Sequence, residues 1–269
     1  MAYVAKMIGS VDGFGDIYQV AAPLDKQLEA FGRVGVTSLA EPDEVAQIRL
    51  AGRSNDFSRT NVAPIVRKGA KTILVRGVLN PLRNPLMAVA AVEAHRKGDY
   101  FEMQPDIYEA AEAVAKAQET MAPEDMDAIF VSQEGDFDLT SEHAEAQFLL
   151  RRQASSYFKQ KTNGKIPFCG LSTNKKGIAV VNYVWFGDPQ NGSLLNCRGR
   201  NLDNYSHAFG VRYFSGEASA QNLGYTLTEI GKANSQVIPA VLNEAGLSGI
   251  AEKVTLPLSK GLIERLRTG

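Results

Sequence analysis

The pattern of apolar and polar positions changes character near residue 70. In residues 1–69, glycines alternate with Pro23, Pro42 and Pro64, and no stretch between these breakers is long enough for a helix of several turns. The segment is nevertheless too apolar to be a solvated tail. Ordering it costs roughly 1.5 kcal/mol per residue, which burial must offset. The pattern therefore predicts an irregular, extended N-terminal arm that is buried against the rest of the chain or against another protein.

The middle of the chain begins with a strand signal and continues with helical ones. Residues 71–78 are rich in β-branched side chains and predict a short strand. A doubled Asn-Pro-Leu, at 80–82 and 84–86, predicts a turn followed by the start of a helix that Asn84 caps and that ends near Gly98. The apolar residues of this helix share one face: Leu86, Val89, Ala90 and Ala94.

Two more helices are predicted before residue 166. The first runs over 105–121 and is rich in alanine, which allows close packing against a neighbouring helix. The second is a longer helix that starts at Thr140 or Ser141 and continues to about Lys161.

The C-terminal third mixes strand and helix signals. Residues 177–186 form the strongest strand pattern of the chain, and the turn signal at 188–192 predicts a hairpin with 193–197. Further helices are predicted near 215–232, 239–245 and 260–267. The predicted fold class is therefore α+β but mostly α, with an extended arm (1–69), a helical region (70–165) and a region of mixed hairpin and helices (166–269).

Composition excludes several classes of function. Twenty-nine basic and 30 acidic residues give a net charge of −1, so no overall field favours nucleic acid. No stretch approaches the roughly 18 apolar residues of a membrane span, and residues 1–11 lack a signal-peptide pattern. With two cysteines, an intracellular, reducing compartment is expected.

Candidate chemistry is sparse. His95, His143 and His207 are scattered, so no metal site is predicted. The spacing of Cys197, Asp203 and His207 would allow a thiol nucleophile with an oriented base, but an ordinary polar loop has the same pattern. A small-molecule enzyme acting through this loop is therefore an alternative, while no catalytic residue is assigned.

The two cysteines suggest a second kind of chemistry. A cysteine beside an arginine, as Cys197 is beside Arg198, can have a lowered pKa and accept a thioether-linked cofactor. More often such a cysteine is a small buried apolar residue, and the same choice applies to Cys169.

Two segments carry a resemblance to a known family. Phe31-Gly-Arg-Val-Gly-Val36 and the stretch from Glu142 through Arg151-Arg152 to Tyr157 resemble parts of the γ-type linker polypeptides of red-algal phycobilisomes. The resemblance implies a light-harvesting antenna linker that threads stacked ring-shaped assemblies in the plastid stroma, associated with thylakoids. It also implies covalent bilins on cysteines, for which Cys169 and Cys197 are the available attachment points.

The leading functional hypothesis is a non-enzymatic assembly or linker protein whose arm is buried against partner subunits. A viral or filament coat subunit is a further alternative, and neither nucleic acid nor membrane insertion is expected. The arm residues expected to bind partners are its large apolar ones: Phe14, Ile17, Tyr18, Phe31, Val34 and Phe57.

Overall fold

The described part of the protein contains two β-sheets, in which most neighbouring strands are antiparallel, together with several helices. The computed structural model describes residues 3–97, 101–169, 179–181, 184–187, 194–197 and 202–213. The chain divides into two units, Met1–Arg212 and Tyr213–Gly269, and all described residues except Tyr213 belong to the first. The strands are β1 (Lys6–Val11), β2 (Gly15–Ala22), β3 (Ser58–Arg59), β4 (Val62–Val66), β5 (Ile73–Arg76), β6 (Glu102–Met103), β7 (Ala128–Phe130), β8 (Asp136–Leu139), β9 (Ile166–Cys169), β10 (Ala179–Val181), β11 (Trp185–Phe186), β12 (Leu195–Asn196) and β13 (Ser206–Tyr213).

The helices alternate with these strands along the sequence. The α-helices are α1 (Leu24–Gly32), α2 (Pro42–Leu50), α3 (Pro85–Arg96), α4 (Pro105–Ala117), α5 (Ala144–Leu150) and α6 (Ala154–Lys161). Short 3-10 helices occupy Gly77–Leu79, Pro81–Arg83, Pro123–Asp125 and Arg151–Gln153.

Among the described residues, the larger sheet has the strand order β1-β2-β13-β3-β11-β12-β9-β8. Within it β13 runs parallel to β3, and β12 runs parallel to β9. The smaller sheet has the order β6-β10-β4-β5-β7, and its paired strands are antiparallel. Every residue of β4 and β5 is buried, so these two strands form the centre of the core.

The prediction of a mostly α protein with an irregular arm is wrong. Residues 1–69 contain β1 to β4, α1 and α2. The glycines and prolines that suggested an irregular arm include residues at the ends of these short elements. Gly13, with φ 68°, lies in the tight turn between β1 and β2, a left-handed conformation that favours glycine. Pro42 takes the first position of α2, where a missing N–H costs nothing.

The middle region is partly as predicted. The strand predicted over 71–78 is confirmed as β5, and the helices predicted after Asn84 and over 105–121 are confirmed as α3 and α4. The single helix predicted up to Lys161 is wrong. It is broken into α5, a 3-10 helix and α6, because Arg151 adopts φ 45°, which interrupts helical hydrogen bonding.

The predicted hairpin pairing is confirmed, but its first strand is much shorter than predicted. Strands β11 and β12 pair antiparallel, with Phe186 opposite Leu195. The pattern over 177–186 is not one strand, since β10 belongs to the smaller sheet and β11 to the larger. The helices predicted near 215–232, 239–245 and 260–267 lie outside the described residues.

Candidate binding groove

A groove opens where the chain leaves β5 and turns into α3. Gly77, with φ 56°, makes the sharp turn out of the strand, and two successive 3-10 helices follow before α3 begins. Together with α4 these segments surround a volume of about 490 Å³. Its polar lining residues are Asn80, Arg83 and Asn84, and the other lining residues are Val78, Leu79, Pro81, Met87, Ile107, Ala110 and Ala111.

The doubled Asn-Pro-Leu shapes one wall of this groove. Asn80 Oδ1 accepts a hydrogen bond from the Leu82 main-chain N (3.0 Å), and Asn84 Oδ1 accepts one from the Leu86 main-chain N (2.9 Å). Each asparagine thus caps the helix that follows it, with proline in the next position. The turn and helix start that the repeat predicts are confirmed.

The opposite wall belongs to α4, which is fixed to the smaller sheet. Tyr108 Oη donates a hydrogen bond to the main-chain O of Lys71 (2.7 Å). The Arg67 guanidinium lies 5.6 Å from the centre of the Tyr108 ring, a cation–π contact. Ile107, next to Tyr108, packs against the main hydrophobic core. The groove is therefore built on rigid elements.

Large apolar side chains are exposed in the lining at Val78 and on α3, the helix that contributes Met87 to the lining. Val78 is 88% exposed, and Leu86 and Val89 of α3 are 80% and 42% exposed. The apolar face of α3 predicted from the sequence contains Leu86 and Val89, but the face that packs inward is the other one, composed of Ala88, Ala91, Val92 and His95. The helix uses small side chains for the core and leaves large ones in solvent.

A buried charged cluster lies directly behind the groove. Arg76 is 1% exposed, and its Nε lies 3.7 Å from Glu41 Oε2 while its Nη2 lies 3.8 Å from Asp43 Oδ1. Its guanidinium also lies 4.7 Å from the centre of the Phe148 ring. The side chains of Glu41 and Glu44 reciprocally cap the start of α2.

Burial dominates the electrostatics of this cluster. It raises the pKa of Glu41 to about 7, although the nearby Arg76 guanidinium acts in the opposite direction. Burial likewise raises the pKa of Asp43, and raises that of Glu44 well above its ordinary value. The cluster therefore contains more carboxyl groups than Arg76 can hold in ionised form.

A chain of hydrogen bonds connects this cluster to the groove. Asn61 Nδ2 donates to Glu41 Oε1 (2.8 Å), and Asn80 Nδ2 donates to the Asn61 main-chain O (3.2 Å) and Oδ1 (3.3 Å). Asn80 is only 1% exposed although it contributes to the groove wall. Asn61 and Asn80 thus connect the wall of the groove to Glu41 of the buried cluster.

Arg83 is the cationic residue of the lining. In the part of the chain that the structure describes, its side chain forms no hydrogen bond and no ion pair. The groove consequently combines an apolar surface with one uncompensated guanidinium. The sequence analysis did not identify Arg83 and Val78 as site residues. The signals that pointed to this region were the Asn-Pro-Leu repeat on both sides of Arg83 and the apolar helix face that contains Leu86.

The arm residues expected to bind partners are mostly inside this chain. Ile17 and Phe31 are fully buried, Phe14 is 6% exposed and Tyr18 is 7% exposed. Val34 is half-buried against the core, and Phe57 is 38% exposed. Four of the six side chains are therefore covered by the protein's own residues. An assembly or linker role itself stays a prediction.

The cysteine and histidine residues do not assemble as the loop hypothesis requires. Cys197 is 1% exposed, its main-chain N donates to the Cys169 main-chain O (2.9 Å), and burial raises the pKa of its thiol. His207 Nδ1 lies 3.0 Å from Gln19 Nε2 and 3.9 Å from Asp56 Oδ2, so the carboxylate beside it is not Asp203. A raised thiol pKa is the opposite of nucleophile activation.

Metal binding, membrane insertion and bilin attachment were the remaining points considered in the sequence. Among the described residues, no group of three or more His, Cys, Asp or Glu side chains is arranged to hold a metal ion. None of the described helices is both long enough and apolar enough to cross a membrane. The resemblance to phycobilisome linkers and the bilin attachment at Cys169 and Cys197 stay predictions.

Comparison with known proteins identifies the fold. No family model and no curated protein matches the sequence. A solved structure, described as the accommodation of massive sequence variation in Nanoarchaeota by the C-type lectin fold, is similar with a TM-score of 0.52. It is 15% identical, over 75% of this chain and 99% of that chain. The likeness shows a C-type lectin fold, which again contradicts a mostly α architecture.

Proposed function

We propose that this protein is a non-enzymatic recognition domain that binds a segment of another protein in the groove between α3 and α4. The observation that carries the proposal is the exposure of Val78 (88%) and Leu86 (80%) beside an apolar groove. Clustered large apolar side chains in solvent are typical of interaction surfaces, whereas single ones are common everywhere.

The apolar surface around the groove favours a protein segment. The volume alone, about 490 Å³, is within the roughly 300–1,000 Å³ of small-molecule pockets, so the choice of occupant rests on the side chains around it. Leu86 on α3 is exposed and is not part of the lining, so an occupant that covers both Val78 and Leu86 must extend beyond this volume. A partner chain lying along α3 satisfies both conditions.

The fold supports a recognition role. The structurally similar protein is described as accommodating massive sequence variation on the C-type lectin fold. A fold that accommodates much sequence variation suits binding proteins, because side chains can then change while the fold is retained. For the present chain, recognition of a protein partner also retains the hypothesis of an assembly protein without requiring an extended arm.

Panning a random-peptide display library on the full chain tests the proposal. Peptides that bind the wild-type protein should bind the double variant Val78→Ser, Leu86→Ser about tenfold or more weakly, because central apolar contacts contribute most of the energy of such interfaces. Both side chains are exposed, so the variant should fold normally.

A control variant removes two exposed apolar side chains elsewhere. Val4 (65% exposed) and Met121 (43% exposed) do not line the groove, so Val4→Ser, Met121→Ser should bind the same peptides as the wild-type protein does. Failure to select any peptide, or equal binding by both double variants, would contradict the proposal.

A further inference from the structure

We infer that the segment recognised by the groove carries a carboxylate beside its apolar side chains, and that Arg83 binds this carboxylate. The inference rests on the proposed function and specifies the chemistry of the partner. It is carried by the position of a guanidinium without an ion pair among the described residues, in the lining of an otherwise largely apolar groove.

The backbone of Arg83 is held in place before any partner binds. Arg83 ends the 3-10 helix that begins at Pro81, and its main-chain N donates to the Asn80 main-chain O (3.1 Å). Asn80 is in turn anchored to Asn61. Because this backbone is already fixed, binding needs to order only the Arg83 side chain, so more of the interaction energy remains as affinity.

Three acidic residues of α4, Asp106, Glu109 and Glu112, lie next to the groove lining in sequence, and among the described residues none of them forms an ion pair with Arg83. Glu109 and Glu112 flank the lining residues of α4, but Glu109 Oε1 lies 3.5 Å from Arg67 Nη1 and Glu112 Oε1 lies 3.2 Å from Lys116 Nζ. Neither neutralises Arg83. Arg83 is therefore available to pair with a carboxylate of the occupant.

The local electrostatics favour an anionic group here. The first turn of α3 contains no acidic residue, so the positive end of its helix dipole is not compensated by the helix itself. An apolar partner segment that covers the groove would also exclude water, which strengthens the attraction between the guanidinium and a carboxylate. Arginine matches a carboxylate with two parallel hydrogen bonds, so the pair also fixes the register of the bound segment.

The test compares two synthetic versions of one peptide selected by display, one with its acidic residue and one with the isosteric amide (Glu→Gln or Asp→Asn). The acidic version should bind the wild-type protein about threefold to tenfold more tightly than the amide version, as expected for a half-exposed charge pair. In Arg83→Glu this preference should reverse, and in Arg83→Gln it should disappear.

Arg152→Glu is the matched control, because Arg152 is also in a 3-10 helix, is exposed and is not part of the groove. This variant should keep the wild-type preference. Equal affinity of the two peptides for the wild-type protein, or an unchanged preference in Arg83→Glu, would overturn the inference while leaving the groove as a binding site. Peptides that bind equally well after Val78 and Leu86 are replaced by serine would overturn both the proposed function and the inference.

A second copy of this chain is the remaining candidate occupant. A concentration-dependent dimer that is abolished by Arg83→Glu and blocked by the acidic peptide would identify it, and would overturn the inference of a different partner protein.

Discussion

Arg76 and Arg83 lie close together in sequence, yet they occupy opposite environments. Arg76 is buried beneath Phe148 and faces Glu41 and Asp43, whereas Arg83 lines an open groove and has no acidic partner among the described residues. A positive charge alone therefore does not indicate whether an arginine has a structural or a binding role. The buried arginine is needed to keep carboxylates inside the fold, while the groove arginine is available to a ligand.

Replacing each arginine in turn is the strongest test of this difference between a structural and a binding arginine. Arg76→Met leaves carboxylates buried without a counter-charge, so the free energy of unfolding should fall by about 3–5 kcal/mol at neutral pH. Arg83→Met should change it by no more than about 0.5 kcal/mol, because among the described residues no side-chain hydrogen bond or ion pair is lost. Urea unfolding of both variants measures the difference, and equal losses would contradict the division into structural and binding arginines.

A pH series sharpens the description of the buried cluster. Glu41 has a folded-state pKa of about 7, above its ordinary value of 4.5, so the folded protein prefers the protonated carboxyl. Its stabilising effect is complete below pH 4.5 and is lost as the pH rises through about 7. The total effect is on the order of 3 kcal/mol. The raised pKa values of Asp43 and Glu44 act in the same direction.

Glu41→Gln separates this contribution from other titrating groups. Glutamine keeps the oxygen that accepts from Asn61 but cannot ionise, so the variant should gain stability relative to the wild-type protein between pH 5 and pH 8. Thermal unfolding at both pH values measures the change, and Glu119→Gln, at an exposed position, serves as the control. A stability difference that does not vary with pH would show that Glu41 is ionised in the folded protein throughout.

The same two regions show how far sequence reasoning reaches. The capped start of α3 and the strand β5 were predictable because their signals are local: an Asn-Pro repeat and a run of β-branched residues. The groove follows from these elements, and the apolar face with Leu86 was visible in the sequence. Its exposure was not, since a periodic pattern does not say which face is covered.

The N-terminal region was not predictable because its elements are completed by residues far along the chain. Strand β3 pairs with β13, Gln27 donates a hydrogen bond to the Ser206 main-chain O, and Arg59 donates to the Asn204 main-chain O. Short strands of this kind have weak local signals and are stabilised by their distant partners. The break at Arg151 was equally hidden, because a positive φ at a residue other than glycine has no sequence signature.

The smallest predicted effect tests the connection between the two regions. Asn80→Ala removes the cap of Leu82 and both hydrogen bonds to Asn61, so the free energy of unfolding should fall by about 1–2 kcal/mol. Asn84→Ala removes only an exposed cap and should cost about half as much. If the wall of the groove is positioned from behind, Asn80→Ala should also weaken binding of the selected peptides more than Asn84→Ala does. Hydrogen exchange at Leu82 and Leu86, measured together with peptide affinity, distinguishes the two variants, and equal effects on affinity would show that the groove does not depend on the buried cluster.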